Sequence, residues 1–309
     1  MTRKIVMKSL IIVLTLAVFI VGLGGITVAE NIVTDGLISY WTFDQSDIVD
    51  NTVKDVWGEN NATIVGNPSI VKGHLKDALK FDGIKDYVNL TTLGDFGAKL
   101  DHSTFEAWIK TDYKDNWSTI IKTIGSNCDK SVMIWGIDIN RKMVDLEDLK
   151  LDPFGPRIIF TEDFIQLYLP SLFKNKNGCS LSFLRGEYPI SDGEWHHLVY
   201  TTKPVDKNGA EQTERAFFID GTLNRISVFN PLVKNAQYKY VPFTDPVYLG
   251  AGNNRGKAEG FFNGIIDEVR IYDRPLTEAE INQNYQSNTG LAVEHKDKLT
   301  TVWGTLKKR

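Results

Sequence analysis

The sequence predicts an all-β protein: two antiparallel sheets packed as a sandwich, with one short C-terminal helix. Three observations predict it. Past the first 29 residues the chain is dense in Val, Ile, Thr, Phe, Tyr and Trp, the residues that fit a pleated, half-buried surface. Gly, Asn and Asp interrupt these runs at short intervals, as turns require. Period-two alternation recurs along the chain, and helical patterning is confined to one segment near the end.

The first 29 residues stand apart. Arg3, Lys4 and Lys8 precede an apolar run from Leu10 to Ile26, and Thr27-Val28-Ala29 supplies small residues where a signal peptidase reads. Residues 1–29 read as a secretory signal with Glu30 as the new N-terminus. The rival reading is an uncleaved anchor, since the run nearly matches a bilayer's thickness. Cleavage would remove three positive charges and take the formal net charge from −4 to −7. A mildly acidic exported chain makes a poor nucleic-acid binder. The expectation is a secreted, periplasmic or cell-surface protein that does not engage the membrane after cleavage. Only two cysteines occur, Cys128 and Cys179. Export permits a disulfide between them; two separate buried thiols are the alternative. Cysteines alone cannot build a zinc site here.

The elements follow in order. Residues 36–44 alternate, with Leu37, Ser39, Trp41 and Phe43 on one face. Residues 50–61 form a loop rich in Asn, Asp and Gly, and 62–65 a short strand closed by Gly66-Asn67-Pro68. Residues 78–83 and 86–90 are two strands around a tight Gly turn. Residues 103–111 alternate cleanly, and further strands fall at 118–124 and 132–139. Residues 140–175 carry a mixed charge cluster, then Pro153, Gly155 and Pro156, then an apolar piece; they read as an insertion with at most a short helix. Strand character resumes at 179–184 and is strong at 193–201. Residues 214–221 end in Asp220-Gly221, a hairpin signal that returns the chain through 222–228. Residues 246–250 form another strand.

In the last strand, residues 264–272, strict alternation puts Ile265, Asp267, Val269 and Ile271 on one face. Asp267 is then a carboxylate on an apolar face, which needs a partner. Pro275 opens the helix. Thr277 and Glu280 have capping-box spacing, and Leu276 and Ile281 stand at staple positions, so the helix runs to about Gln286. The main domain spans 30–288. Residues 289–309 are a tail with an apolar knot around Trp303.

Six motifs occur in a set order: residues 36–44, 78–88, 105–109, 193–198, 218–221 and 264–276. Together they resemble the LamG-like jelly-roll family of the concanavalin A-like lectin/glucanase superfamily, over roughly 35–288. The resemblance implies a two-sheet antiparallel jelly roll with a concave side. It also implies that first and last strands are adjacent and hold a structural Ca²⁺ between them. Mapped here, Asp267 is the side-chain ligand, with Asp44 and the segment around Gly58–Asn61 as complements. Calcium suits carboxylate and carbonyl oxygens. The expected metal set is therefore Asp44, Asn61 and Asp267. The alternative is that Asp267 caps a turn or pairs with a buried Arg or Lys.

A sugar site needs flat aromatic faces beside amide and carboxylate groups. Tyr113, Trp117 and Asn127, with Trp135 and Tyr168 near them in the pattern, are the candidates. Their competing assignment is as core residues, Trp135 above all. His196 and His197 are adjacent on a strand, point to opposite faces, and cannot share a metal. No paired-carboxylate glucanase motif, nucleophile elbow, His-Glu-x-x-His or P-loop is present. The expectation is an exported, non-catalytic module that binds carbohydrate or an extracellular protein. Its rivals are a structural or adhesive domain, and a hydrolase with its site in the 140–175 insertion.

Overall fold

A computed structural model describes residues 31–90, 102–114, 118–125, 133–139, 164–169, 182–187, 190–207, 210–229, 246–254 and 256–290. In chain order the strands begin with β1 (Leu37–Trp41), β2 (Ile48–Val49), β3 (Thr52–Val53), β4 (Ala62–Val65), β5 (Ser69–Lys72), β6 (Asp77–Asp82) and β7 (Tyr87–Asn89). They continue with β8 (Ser103–Lys110), β9 (Ser118–Gly125), β10 (Met133–Ile139), β11 (Phe164–Leu169), β12 (Ser182–Glu187), β13 (Trp195–Lys207), β14 (Ala210–Ile219) and β15 (Thr222–Phe229). The last are β16 (Tyr248–Leu249), β17 (Gly252–Asn254), β18 (Lys257–Glu259) and β19 (Asn263–Tyr272), followed by helix α1 (Glu278–Gln286).

Two sheets result. The first runs β15-β14-β13-β8-β19-β6-β5, with β1 also on β19. The second runs β12-β11-β10-β9-β16-β7-β4-β3-β2, with β17 on β9 and β18 on β17. This is the two-sheet jelly roll that the motif order implied. Trp41, Leu79, Phe81, Phe105, Ile109, Leu198, Phe217 and Ile266 of the first sheet, with Phe43 just past β1, meet Val53, Val88, Ile120, Ile121, Ile137 and Leu249 of the second. The turn at residues 83–86 is a corner between sheets, because β6 and β7 belong to different ones. Asp82 shapes it by accepting the amides of Ile84, Lys85 and Asp86.

Helix α1 lies on the outer face of the first sheet. Its capping box is formed by Thr277 and Glu280. Ile281 packs with Ile32, Val33, Leu37, Tyr40, Val199, Phe218, Tyr272 and Leu276 into a second apolar cluster. The Asp220-Gly221 hairpin forms with both residues left-handed, as a type I′ turn requires.

Two sequence expectations change. The 140–175 stretch contains a strand, β11, paired to β10 and β12; Phe164, Gln166 and Tyr168 alternate with Ile165, Leu167 and Leu169, so β pairing prevails over helix. The alternation in β19 is broken by a bulge between Asp267 and Arg270, where Glu268 takes φ +53°. Ile266, Val269 and Ile271 face the core, while Asp267 is not on their face but turned outward with Glu268 and Arg270. The segment 1–29, both cysteines and the Trp303 tail lie outside the described residues. Among the described residues no helix is long and apolar enough to cross a membrane.

Candidate functional site

The bulge in β19 sits at a junction. Asn263–Ile266 pair with β6, and Val269–Tyr272 pair with β1. Asp267 and Glu268 therefore face the gap where β1 leaves the sheet and β6 enters. The loop 73–76 fills that gap. Asp267 Oδ2 accepts the amide of Leu75 at 3.1 Å, and Oδ1 accepts that of Glu268 at 2.9 Å. Asp44 reaches the same segment from the other side: Oδ2 holds Lys76 Nζ at 2.8 Å and Oδ1 accepts the amide of Asp77 at 3.2 Å. Thus the structure brings Asp44 and Asp267 to one loop, which ties the first strand's exit to the last strand.

Asn61 goes elsewhere. Its Oδ1 accepts the amide of Asp55, and Asp55 in turn organises residues 55–60. Glu268 was passed over in the sequence because strict alternation put it on the opposite face from Asp267. A β-bulge leaves no residue-type signal here, since the left-handed position is a Glu and not a Gly.

Asp267 is fully buried. Burial pushes its carboxyl up, the neighbouring Glu268 adds to this, and amide donors offset only part, giving about 9. Gly73 approaches it closely. A Cβ there would meet Asp267 Oδ2 at 2.5 Å, Leu75 O at 2.6 Å and Asp77 O at 2.7 Å. One carboxylate and two carbonyls thus crowd a cradle that only glycine leaves open. That donor set is hard oxygen, the chemistry calcium takes. Among the described residues no group of three or more His, Cys, Asp or Glu side chains makes a metal cluster, so carbonyls would have to supply the remaining ligands.

Beside the cradle lies a buried charge network. Arg270 Nη1 donates to Glu106 Oε1 at 2.6 Å and Nη2 to Glu268 Oε2 at 2.5 Å. Tyr40 donates its hydroxyl to Glu268, and Asn284 of α1 donates to both Glu106 oxygens. Burial alone would raise Glu106, but Arg270, His197 and Asn284 more than reverse it and hold the carboxyl at about 2. The ring of His74 stacks on Trp108 at 3.4 Å, and Trp108 faces Tyr285 of α1 at 5.7 Å. The 73–76 loop is therefore clasped onto the helix-covered face. His197 stands in this layer, while His196 sits between Asp192 and Asp220, so the two adjacent histidines do different work, as expected.

The outer face of the second sheet differs. Pairing puts Thr63, Asn89, Tyr248 and Lys122 in one transverse row. The register continues it through Gly136, Tyr168 and Phe183. Tyr87, two residues before Asn89, shares that face. Its ring centroid is 4.5 Å from Tyr248 and 6.4 Å from Phe261. Tyr87 and Phe261 are half-exposed, whereas Tyr248 and Lys122 are buried. The stem of Lys122 lies over Gly252, 3.3 Å from where a Cβ would be. Of the three sugar-site candidates, Tyr113 follows β8 and is half-buried, its amide donated to Thr111 Oγ1; Trp117 and Asn127 lie outside the described residues. Tyr87, Tyr248 and Phe261 were missed because they come from segments remote in sequence, and only pairing gathers them.

The class this defines is a two-sheet antiparallel jelly-roll sandwich. Residues 159–282 match the family model described as the concanavalin A-like lectin/glucanases superfamily. The resemblance carried by the ordered motifs is thus shown in sequence over that region and in fold over the two sheets. No curated protein matches the sequence. Among solved structures, a Trypanosoma rangeli sialidase in complex with 2,3-difluorosialic acid is similar at 17% identity and TM-score 0.53, over 83% of this chain and 33% of the sialidase. The binding domain of botulinum neurotoxin DC in complex with SialylT is similar at 17% identity and TM-score 0.51, over 83% of this chain and 52% of that one. Domain 4 of a GH43 extracellular arabinanase from Geobacillus stearothermophilus, in complex with arabinotriose, is 17% identical with TM-score 0.49, over 81% of this chain and 98% of that domain. The chain spans about half the length of the neurotoxin binding domain. At these identities the likeness is one of fold.

Proposed function

We propose that the protein is an exported, non-catalytic carbohydrate-binding module that presents the outer face of its second sheet to glycans. The observation that carries this reading is the pair of partly exposed rings Tyr87 and Phe261, backed by the buried Tyr248 and set beside Asn89. Aromatic faces stack on sugar rings, and the half-buried Asn89 places an amide beside them. The opposite outer face is sealed by α1, and its carboxylates Glu106 and Glu268 are locked on Arg270, which supports a non-catalytic role.

The reading includes a structural Ca²⁺ held by Asp267 with the carbonyls of Leu75 and Asp77. Its role would be to neutralise a buried carboxylate and fix the 73–77 segment. Asp44 would act from behind, by anchoring Lys76 and the Asp77 amide. Asn61 has no part in this set.

A glycan array and polysaccharide pull-down with the full chain test the proposal. Retention on a glycan, weakened about ten-fold by Tyr87→Ala or Phe261→Ala, is the expected result. No retention on any glycan, together with stable self-association, overturns it in favour of an adhesive or structural role. Release of reducing sugar from a retained polysaccharide overturns the non-catalytic part.

A further inference from the structure

The loop joining β3 to β4 is built more firmly than a connection needs. Asp55, almost fully buried, accepts four backbone amides: Tyr40, Trp57 and Gly58 on Oδ1 and Asn60 on Oδ2. Trp41 Nε1 donates to Asn60 O at 2.9 Å, and Asn60 Nδ2 donates to Ser39 Oγ at 2.7 Å. Gly58 sits so close to β1 that a Cβ would stand 2.3 Å from Ile38 O. On this frame Trp57 is 42% exposed, yet its position is fixed, because Nε1 donates to Leu37 O at 2.8 Å. The indole N–H is spent on the protein, and part of the side chain is left toward solvent.

We infer that the Asp55–Asn61 loop presents Trp57 as a second sugar-stacking subsite, separate from the aromatic row of the second sheet. A rigid aromatic ring gives contact area with little ordering cost on binding. Every hydrogen bond holding the loop is already made, so a ligand meets a preformed platform. The neighbours suit a pyranose: Glu59 and Asn61 are exposed, and Asn60 is half-exposed, so polar groups rim a single flat ring. A protein partner would call for a contiguous apolar patch, but Trp57 is the one exposed large apolar residue of this loop. A membrane surface would call for several basic residues around it, whereas the loop exposes one base, Lys54, balanced by one acid, Glu59.

The subsite is tested with the full chain and neutral oligosaccharides of four to six pyranose units. Binding is followed by calorimetry, and hydroxyl-radical footprinting with mass spectrometry reads protection of each Trp. The bound sugar should protect Trp57 from oxidation. Trp57→Ala should weaken binding about ten-fold, ~1.4 kcal/mol, and Trp57→Phe should restore part of it, since Phe keeps a flat but smaller face and loses the bond to Leu37. Footprinting of the wild type decides the matter if Trp57→Ala does not fold. Unchanged affinity in Trp57→Ala with no protection of Trp57, while Tyr87→Ala abolishes binding, overturns the subsite and leaves the main face standing. Loss in Trp57→Ala with none in Tyr87→Ala leaves the subsite and overturns the face. If the wild type binds none of these sugars, the subsite is overturned with the carbohydrate reading.

Discussion

Replacing Asp267 by Asn removes the one buried carboxylate that the cradle offers a cation, at nearly constant shape. Without metal, burial and Glu268 hold this carboxyl at about 9, so it is protonated at neutral pH. Calcium must displace that proton, and apparent affinity should rise about ten-fold per pH unit up to about 9. The sign for the metal-free protein is opposite. A folded value raised above the unfolded one gives stability that is complete below about 4 and is lost as pH rises through about 9. At a calcium concentration 100-fold above Kd the wild type gains about 2.7 kcal/mol. For a domain of this size that is a rise in melting temperature of roughly 5–11 °C. Asp267→Asn should show no calcium-dependent rise. Its baseline falls by about 1–3 kcal/mol if one amide now faces the Asn amino group, so the difference between calcium and chelator is the readout. Calorimetry in buffers of different ionisation enthalpy should report about one proton released per ion. Equal melting of demonstrably metal-free wild type in calcium and in chelator would refute the reasoning, as would a calcium shift preserved in Asp267→Asn.

Other outcomes follow from the same geometry. Arg270→Met should cost about 3–5 kcal/mol in urea unfolding by stranding Glu106 and Glu268, and adding Glu106→Leu and Glu268→Leu should recover much of it. Thr277→Ala should cost about 1 kcal/mol through the lost cap, lowering the urea midpoint at constant slope. The Asp220 hydrogen bond raises His196 against the effect of burial, with Asp192 helping. Its stabilisation is complete below the unfolded value near 6.5 and fades as pH rises through the folded one. Wild-type urea midpoints should therefore fall relative to His196→Gln across that window.

Strands whose side chains alternate without interruption were legible in the sequence. Phe105, Ala107 and Ile109 all reach the core from β8, and Thr277, Glu280, Leu276 and Ile281 announced the helix start. The Asp220-Gly221 turn was legible for the same reason: the conformation demands residues that tolerate φ > 0. The bulge was not, because alternation assumes one residue per step and nothing in Asp267-Glu268 marks a doubled step. Asn61 has a local partner that the sequence pattern did not show: its side-chain oxygen accepts the amide of Asp55, six residues away in the same loop, and such side-chain-to-backbone bonds compete with a distant ligand role. The aromatic face was illegible because register is a property of pairs: Tyr87, Lys122 and Tyr248 become neighbours only when β16 lies between β7 and β9.

The bulge also bears on how the two sheets divide their work. Holding Glu268 left-handed costs on the order of 1–3 kcal/mol, and the return is that Asp267 and Glu268 both face outward at the junction of β1 and β6. Asp267 gains the 73–77 loop, while Glu268 gains Arg270 and Tyr40. His74 of that loop then stacks on Trp108, which faces Tyr285 of α1. The outer face of the first sheet is thereby largely committed to closing the chain: the charges at the bulge are paired and the central apolar groups lie under the helix, while Leu223 and Ile226 of β15 stay exposed. A ligand is left the outer face of the second sheet and the loops at the edges. On this division, variants at Tyr87 or Trp57 should change binding with little effect on calcium-dependent melting, and variants at Asp267 should do the reverse. A glycan site that failed when Asp267 was neutralised, in protein still folded, would show that the two faces are not separate.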